Sequence, residues 1–243
     1  MKMRLLMAGL LALQVHAAAQ AQTIQVVTEA TSFAYVRDGK VAGPATEIAE
    51  ATLRGAGLHD FRVMLYPWAR AYDLARNEPN VLIYLIARTP ARETQFKWVG
   101  EVIKMKYHLY KLKERADIMV TGLEQAKRYT VGVTRDDMRH DYLRAKGFSK
   151  IVVSAHNIDN FRKLMSGQVQ LIPMPETDVV ALCQEARFDC SRLERTYNLD
   201  ELSTGLYLAY GNPTSDAVVE RTRAAFQKLK ADGSVARVMA TRP

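Results

Sequence analysis

The chain has 243 residues, a formal net charge of +8 and two cysteines. That length holds one large domain or two lobes of ordinary size. Its Lys and Arg residues are scattered among acids, and no helix-turn-helix, zinc-finger or aromatic RNA-binding motif is present. The positive charge therefore reads as a solvated surface, compatible with a basic cleft for a small anion, and nucleic acid is not expected as a partner.

At the N-terminus, Lys2 and Arg4 precede the apolar run Leu5–Val15. This run has signal-peptide length and is too short to span a bilayer. Ala19-Gln20-Ala21 fits the small-x-small cleavage pattern, and Ala17-Ala18-Ala19 fits it almost as well. Residues 1–21 are thus expected to be a signal peptide, cleaved near Ala19 to Ala21, with the rest of the chain exported to the periplasm. No later stretch is long and apolar enough to cross a membrane, so the mature protein is expected to be soluble. In an oxidising compartment Cys183 and Cys190 are expected to pair, closing a short loop for about 2 kcal/mol of local stabilisation. With no nearby histidine they offer no zinc spacing, and no metal or cofactor is expected.

The elements then alternate. Ile24–Thr28 reads as a strand, and Pro44 opens a helix that carries Ile48, Ala49, Thr52 and Leu53 on one face and ends at Gly57. Arg62–Tyr66 is the next strand, Pro67 starts a helix through Trp68, Tyr72 and Ala75, and Val81–Ala87 is an apolar run suited to a strand covered on both faces. After this βαβαβ series the pattern restarts. Thr130–Thr134 is a strand, Asp136–Lys146 a helix with two aspartates in its first turn, Lys150–Val153 a strand, Asn157–Ser166 a helix and Val169–Ile172 a strand. Near the end, Thr214 or Ser215 caps a helix with the stripe Val218, Thr222, Ala225 and Leu229, closed by Gly233. Two such series predict two lobes, each with a largely parallel sheet. Lys104–Lys111 and Thr204–Tyr210 read as the crossings between them. The expected division is 22–107 plus 205–243 for the first lobe and 108–204 for the second, a hinge architecture.

Several short motifs resemble one family. In order they are Tyr35-x-x-Asp38-Gly39-Lys40-x-x-Gly43, Pro67-Trp68-Ala69-Arg70-Ala71, Arg88-Thr89-Pro90-Ala91-Arg92-Glu93, Phe96-Lys97-Trp98-Val99-Gly100 and Lys230-Ala231-Asp232-Gly233. Their order and spacing resemble a less studied branch of the extracellular solute-binding proteins of family 3, the periplasmic receptors of amino-acid ABC importers. The resemblance implies a two-lobed α/β fold of the type II periplasmic-binding-protein kind, with a ligand held between the lobes. It further implies a small-molecule ligand, anionic or zwitterionic, and a membrane permease as partner. By fold analogy a monomer is expected.

Arg92 stands just past the strand Val81–Ala87, where ligands of parallel sheets gather, and a guanidinium grips a carboxylate with two parallel hydrogen bonds. The family's strand-end arginine holds the ligand carboxylate, and Arg92 occupies that place; the alternative is an ion pair with Glu93. Arg88 and Arg70 are further cations near this edge, as ligand contacts or as surface groups. Glu29 follows the first strand and is placed to accept an ammonium or to neutralise an arginine. Phe33, Tyr35 and Trp68 are candidates for stacking on a ligand, whereas Tyr72 and Trp98 read as packing. In the second lobe Arg135 leads into a helix whose N-terminus suits an anion.

Two departures from the family stand out. Tyr84-Leu85-Ile86-Ala87 lacks the small hydroxyl residues that precede the arginine in amino-acid binders. The family's ammonium-holding aspartate falls near Pro175, where Glu176 is the nearest acid. The reading that follows is capture of a small carboxylate-bearing solute for import, without catalysis. The alternatives are a sensor subunit for a membrane partner and a dehydratase-like enzyme using Glu29 or Glu176. No Gly-x-Ser-x-Gly, His-Glu-x-x-His or phosphate loop supports the last of these.

Overall fold

The computed structural model describes residues 23–241, so the expected signal peptide lies outside the described residues. In chain order the first part runs β1 (Ile24–Thr28), β2 (Tyr35–Arg37), β3 (Lys40–Ala42), α1 (Pro44–Gly55), β4 (Phe61–Leu65), α2 (Trp68–Asn77), β5 (Val81–Ala87) and β6 (Phe96–Met105). The middle part comprises β7 (His108–Leu112), α3 (Leu123–Ala126), β8 (Val131–Thr134), α4 (Met138–Ala145), β9 (Ile151–Ser154), α5 (Asn157–Met165), β10 (Ile172–Met174), α6 (Glu176–Ala186) and β11 (Leu193–Asn198). The chain closes with β12 (Thr204–Gly211), α7 (Asp216–Ala231) and α8 (Ser234–Ala240).

The first sheet has the order β4-β1-β5-β12-β6. β1 runs parallel to β4 and β5, while β12 is antiparallel to β5 and β6. Four strands therefore share one direction and β12 opposes them. Every residue of β5 is buried, as its unbroken apolar run requires of a central strand with helices on both sides. Gly100 of β6 lets α7 approach closely, because a Cβ there would come 2.1 Å from the Phe226 ring.

The second layer repeats the plan. β8 is parallel to β9, and β7 is antiparallel to β10 and β11. A parallel bridge between Val131 and Leu171 joins β8 to the segment that enters β10. The resulting order is β9-β8-β10-β7-β11, again with one opposed strand. In each layer that strand is the one that follows a crossing of the chain from the other layer. The chain crosses between Met105 and His108 and returns between Asn198 and Thr204.

Two readings of the sequence are corrected. The helix expected from Asp136 starts at Met138. Asp136 has the left-handed φ of 57° that a helix excludes, and Asp137 is the N-cap, accepting from the Arg139 backbone N–H at 2.8 Å. The strand expected at Val169–Ile172 lies later, at Ile172–Met174. There Pro173 stands in register with Leu109. The helix α7 ends just ahead of Gly233 as expected, and Gly233, with φ 78°, is the N-cap of a further helix, α8, that the sequence reading did not anticipate. The hairpin β2–β3, helix α6 and strand β11 were not legible as elements. Cys183 of α6 and Cys190 form the expected disulfide.

Candidate functional site

The carboxyl ends of four parallel strands converge. β1 leads into Glu29, β5 into Arg92 by a turn closed by Arg92 N–H to Thr89 O (2.9 Å), β8 into Asp137, and β10 into Asp178 on the first turns of α6. Together with Thr28, Phe33, Trp68, Leu85, Met138, Arg139 and Asn157 these residues enclose a cavity of about 40 Å³ between the two layers. Met105, Tyr107 and Leu206, from the crossing segments, close its floor.

Arg92 is 4% exposed. Its guanidinium lies over the Trp68 ring at 5.3 Å and the Tyr72 ring at 4.9 Å. Its Nη2 donates to the Asp136 carbonyl at 3.1 Å, and Nη1 reaches the Ala87 carbonyl at 3.5 Å. Among the described ion pairs none joins Arg92 to a carboxylate. Glu93, the alternative partner, instead accepts from Arg88 Nε at 2.8 Å and Nη2 at 2.5 Å. Among the described residues Arg92 has no direct carboxylate partner, although its charge helps to lower the nearby Asp137 carboxyl; an anion in the cavity beside it would give it one.

The opposite wall is acidic and already partly neutralised. Arg139 donates from Nε to Asp137 Oδ1 at 2.5 Å and from Nη2 to Oδ2 at 3.1 Å. Further donors of Arg139 reach the Pro173 carbonyl at 3.1 Å and Asn157 Oδ1 at 3.0 Å. Burial alone would raise the Asp137 carboxyl, but the charge and hydrogen bonds of Arg139 hold it below the ordinary aspartate value. Glu29 has no such clamp. Loss of hydration pushes it up to about 8, helped by Asp137 and Asp178 and opposed by the Arg139 charge and the Asn157 amide. Burial also raises Asp178, against two hydrogen bonds from Ser32. At neutral pH Glu29 is therefore mostly protonated and Asp137 ionised.

The two layers are latched around this cavity. Trp68 Nε1 donates to the Asp136 carbonyl at 2.9 Å, and Ser32 donates from its backbone N–H at 3.1 Å and its Oγ at 2.7 Å to Asp178. Asn157 Nδ2 donates to Glu29 Oε2 at 3.3 Å. Each of these bonds joins one layer to the other.

Of the residues singled out by sequence, Arg92, Glu29, Trp68 and Phe33 meet at the cavity. The others do not line it. Arg88 is taken by Glu93 and lies over Trp98 at 5.3 Å, and Arg70 is stacked on Tyr66 at 4.3 Å. Tyr35 faces a neighbouring groove beside α6. Arg135 is exposed ahead of the N-cap of α4, and Glu176 is exposed at the start of α6. Asp178, two positions on and so about 200° around the helix, takes the inward position. Sequence reasoning missed Asp137, Arg139, Asn157 and Asp178. A usable signal existed for the last: Pro175 followed by two acids within four residues is a helix start.

Leu85 is the strained residue of the cavity wall. Its φ is 61°, a left-handed conformation that costs a residue with a Cβ about 1–2 kcal/mol. The pairing of β5 with β12 skips it, running from Tyr207–Ile86 to Leu208–Tyr84. Among the described residues no cluster of three or more His, Cys, Asp or Glu is arranged for a metal ion, and no helix is long and apolar enough to cross a membrane.

Solved structures share this architecture. The chain matches a histidine kinase sensor domain with similarity to periplasmic binding proteins at TM-score 0.80 and 18% identity, covering 91% of this chain and 96% of that one. The fold is that of the periplasmic binding proteins. An ancestral arginine-binding protein bound to arginine matches at TM-score 0.77 and 17% identity, over 90% of this chain and 97% of that one. A substrate-binding protein of an amino-acid ABC transporter from Streptococcus pneumoniae, bound to L-arginine, matches at TM-score 0.76 and 18% identity, over 90% and 93%. No family model matches the chain, and no curated protein matches it by sequence.

Proposed function

We propose that this protein is a periplasmic solute receptor that captures a small carboxylate-bearing molecule between its lobes and delivers it to the membrane permease of an ABC importer. The lobes are taken as residues 22–107 with 205–243, and 108–204, closing about the two crossing segments. The single observation that carries the reading is Arg92. It is buried at the cavity wall, braced by two aromatic rings, and its own hydrogen bonds go to carbonyls, with Asp137 as a neighbouring charge rather than a direct partner. A carboxylate completes that arrangement, with Glu29 and Asp178 opposite as acceptors for an amine or hydroxyl. The ligand stabilises the closed state by its differential affinity for it, and no bond-making step is needed.

The test is binding by the mature protein, followed by titration calorimetry and a thermal-shift screen of amino acids and simple carboxylates. A ligand at a hundred times its dissociation constant adds about 2.7 kcal/mol. Arg92→Ala is expected to abolish that binding while leaving the midpoint of the unliganded protein within a few degrees of wild type. Retained binding by the variant would remove the basis of the reading.

A second reading is a sensor subunit that reports closure to a membrane partner. The likeness to a histidine kinase sensor domain favours it. Reconstitution separates the two: stimulation of a permease ATPase by the liganded protein supports import, and its absence supports sensing.

A further inference from the structure

We propose that Leu85 is the residue that sets ligand size in this cleft, favouring the smaller carboxylates. The inference rests on the solute-receptor reading above and concerns the same cavity.

The argument starts from the alternation of β5. In a regular strand successive side chains point to opposite faces. Val81 and Ile83 pack in the cluster on the α2 side of the sheet, whereas Leu82 and Tyr84 pack in the larger core. A regular continuation would send Leu85 to the α2 side. It packs instead with Tyr84, on the same face, and the phase is reset after it: Ile86 returns to the α2 cluster and Ala87 to the larger core. The reset coincides with the skipped pairing to β12 and with the positive φ of Leu85. This is a one-residue bulge, and its effect is to turn the Leu85 side chain into the cavity that Arg92 also lines.

A bulge with positive φ is met without steric cost by glycine. This chain places a leucine there. The strain is therefore borne by a side chain that occupies ligand space, as strained residues at binding sites commonly do. Leu85 is 7% exposed, and its side chain takes up part of the cavity that Arg92 and the acidic wall also line. A ligand with a long side chain directed along this wall meets the Leu85 side chain, and a small one does not.

The experiment compares wild type, Leu85→Gly and Leu85→Ala by titration calorimetry against acetate, glycine, alanine, glutamine and arginine, with circular dichroism to establish that each variant folds. Wild type is expected to bind the smallest members and to lose at least tenfold in affinity from alanine to glutamine. Both variants are expected to gain at least tenfold for glutamine or arginine, since both remove the bulk. Where Leu85→Gly does not fold, Leu85→Ala carries the test, because it keeps a Cβ and the same backbone demand. Glutamine or arginine bound by wild type as tightly as glycine, or a variant with an unchanged size profile, overturns the role of Leu85 while leaving the receptor reading intact. No binding of any member by any of the three proteins overturns both.

Discussion

Arg139 forks onto Asp137, with Nε to Oδ1 at 2.5 Å and Nη2 to Oδ2 at 3.1 Å, and both residues are buried. Asp137 also caps α4 through the Arg139 backbone N–H, so one carboxylate holds both the backbone and the side chain of Arg139. Truncating one partner of such a pair leaves a buried charge uncompensated. Arg139→Met is expected to lower the unfolding free energy by about 3–5 kcal/mol, read by urea denaturation. The double variant Arg139→Met with Asp137→Asn is expected to recover a substantial part, because the orphaned charge is gone. A double variant as unstable as the single one would argue against the charge as the cause.

Glu29 makes stability depend on pH. Its folded value of about 8 stands above the unfolded value of 4.5. The folded state therefore binds this proton more tightly, and the Glu29 contribution to stability is fully present below about 4.5 and is lost as pH rises through about 8. The groups that face it are Asp137 and Arg139 of the α4 segment, Asp178 of α6 and Asn157 of α5. The contribution lost is on the order of a few kcal/mol. Glu29→Gln is expected to flatten the profile between pH 5 and 8 in guanidinium melts. Parallel profiles for the two proteins would place the carboxyl in water rather than in the cavity.

The same group gives a readout of ligand chemistry. An ammonium placed against Glu29 favours its ionised form, so binding at pH 7 is expected to release close to one proton when the ligand carries an amine and far less when it is a plain carboxylate. Calorimetry in buffers of different ionisation enthalpy measures that number directly. In Glu29→Gln the release is expected to vanish.

The Cys183–Cys190 disulfide closes a loop of seven-residue separation at the far end of α6 from Asp178. Replacing both cysteines by serine is expected to cost about 2 kcal/mol of unfolding free energy and to change ligand affinity less than threefold. Denaturation and calorimetry on the same variant check both parts.

Much of the first layer was legible because its signals are local. The apolar run of β5, Pro44 ahead of α1 and the sequence position of Arg92 each speak without a partner. The second layer was less so. In Arg135–Asp141 the charges alternate as they do on a solvated helix, and nothing in that pattern tells that Arg139 and Asp137 are buried against each other. Asp178 was passed over for Glu176 because the two differ only in which side of α6 they occupy, and that depends on how α6 sits on β10. The disulfide, by contrast, needed only two cysteines at close spacing and the expectation of export.

β12 lies between β5 and β6 although it is made more than ninety residues after them. A ribosome or a translocation channel therefore handles most of this chain while the first sheet still lacks an inner strand, with the facing edges of β5 and β6 unpaired. Closing that gap brings together residues far apart in sequence, which is slow compared with local folding. The topology that gives the cleft its two crossings thus also delays completion of the first sheet until nearly all of the polypeptide has emerged.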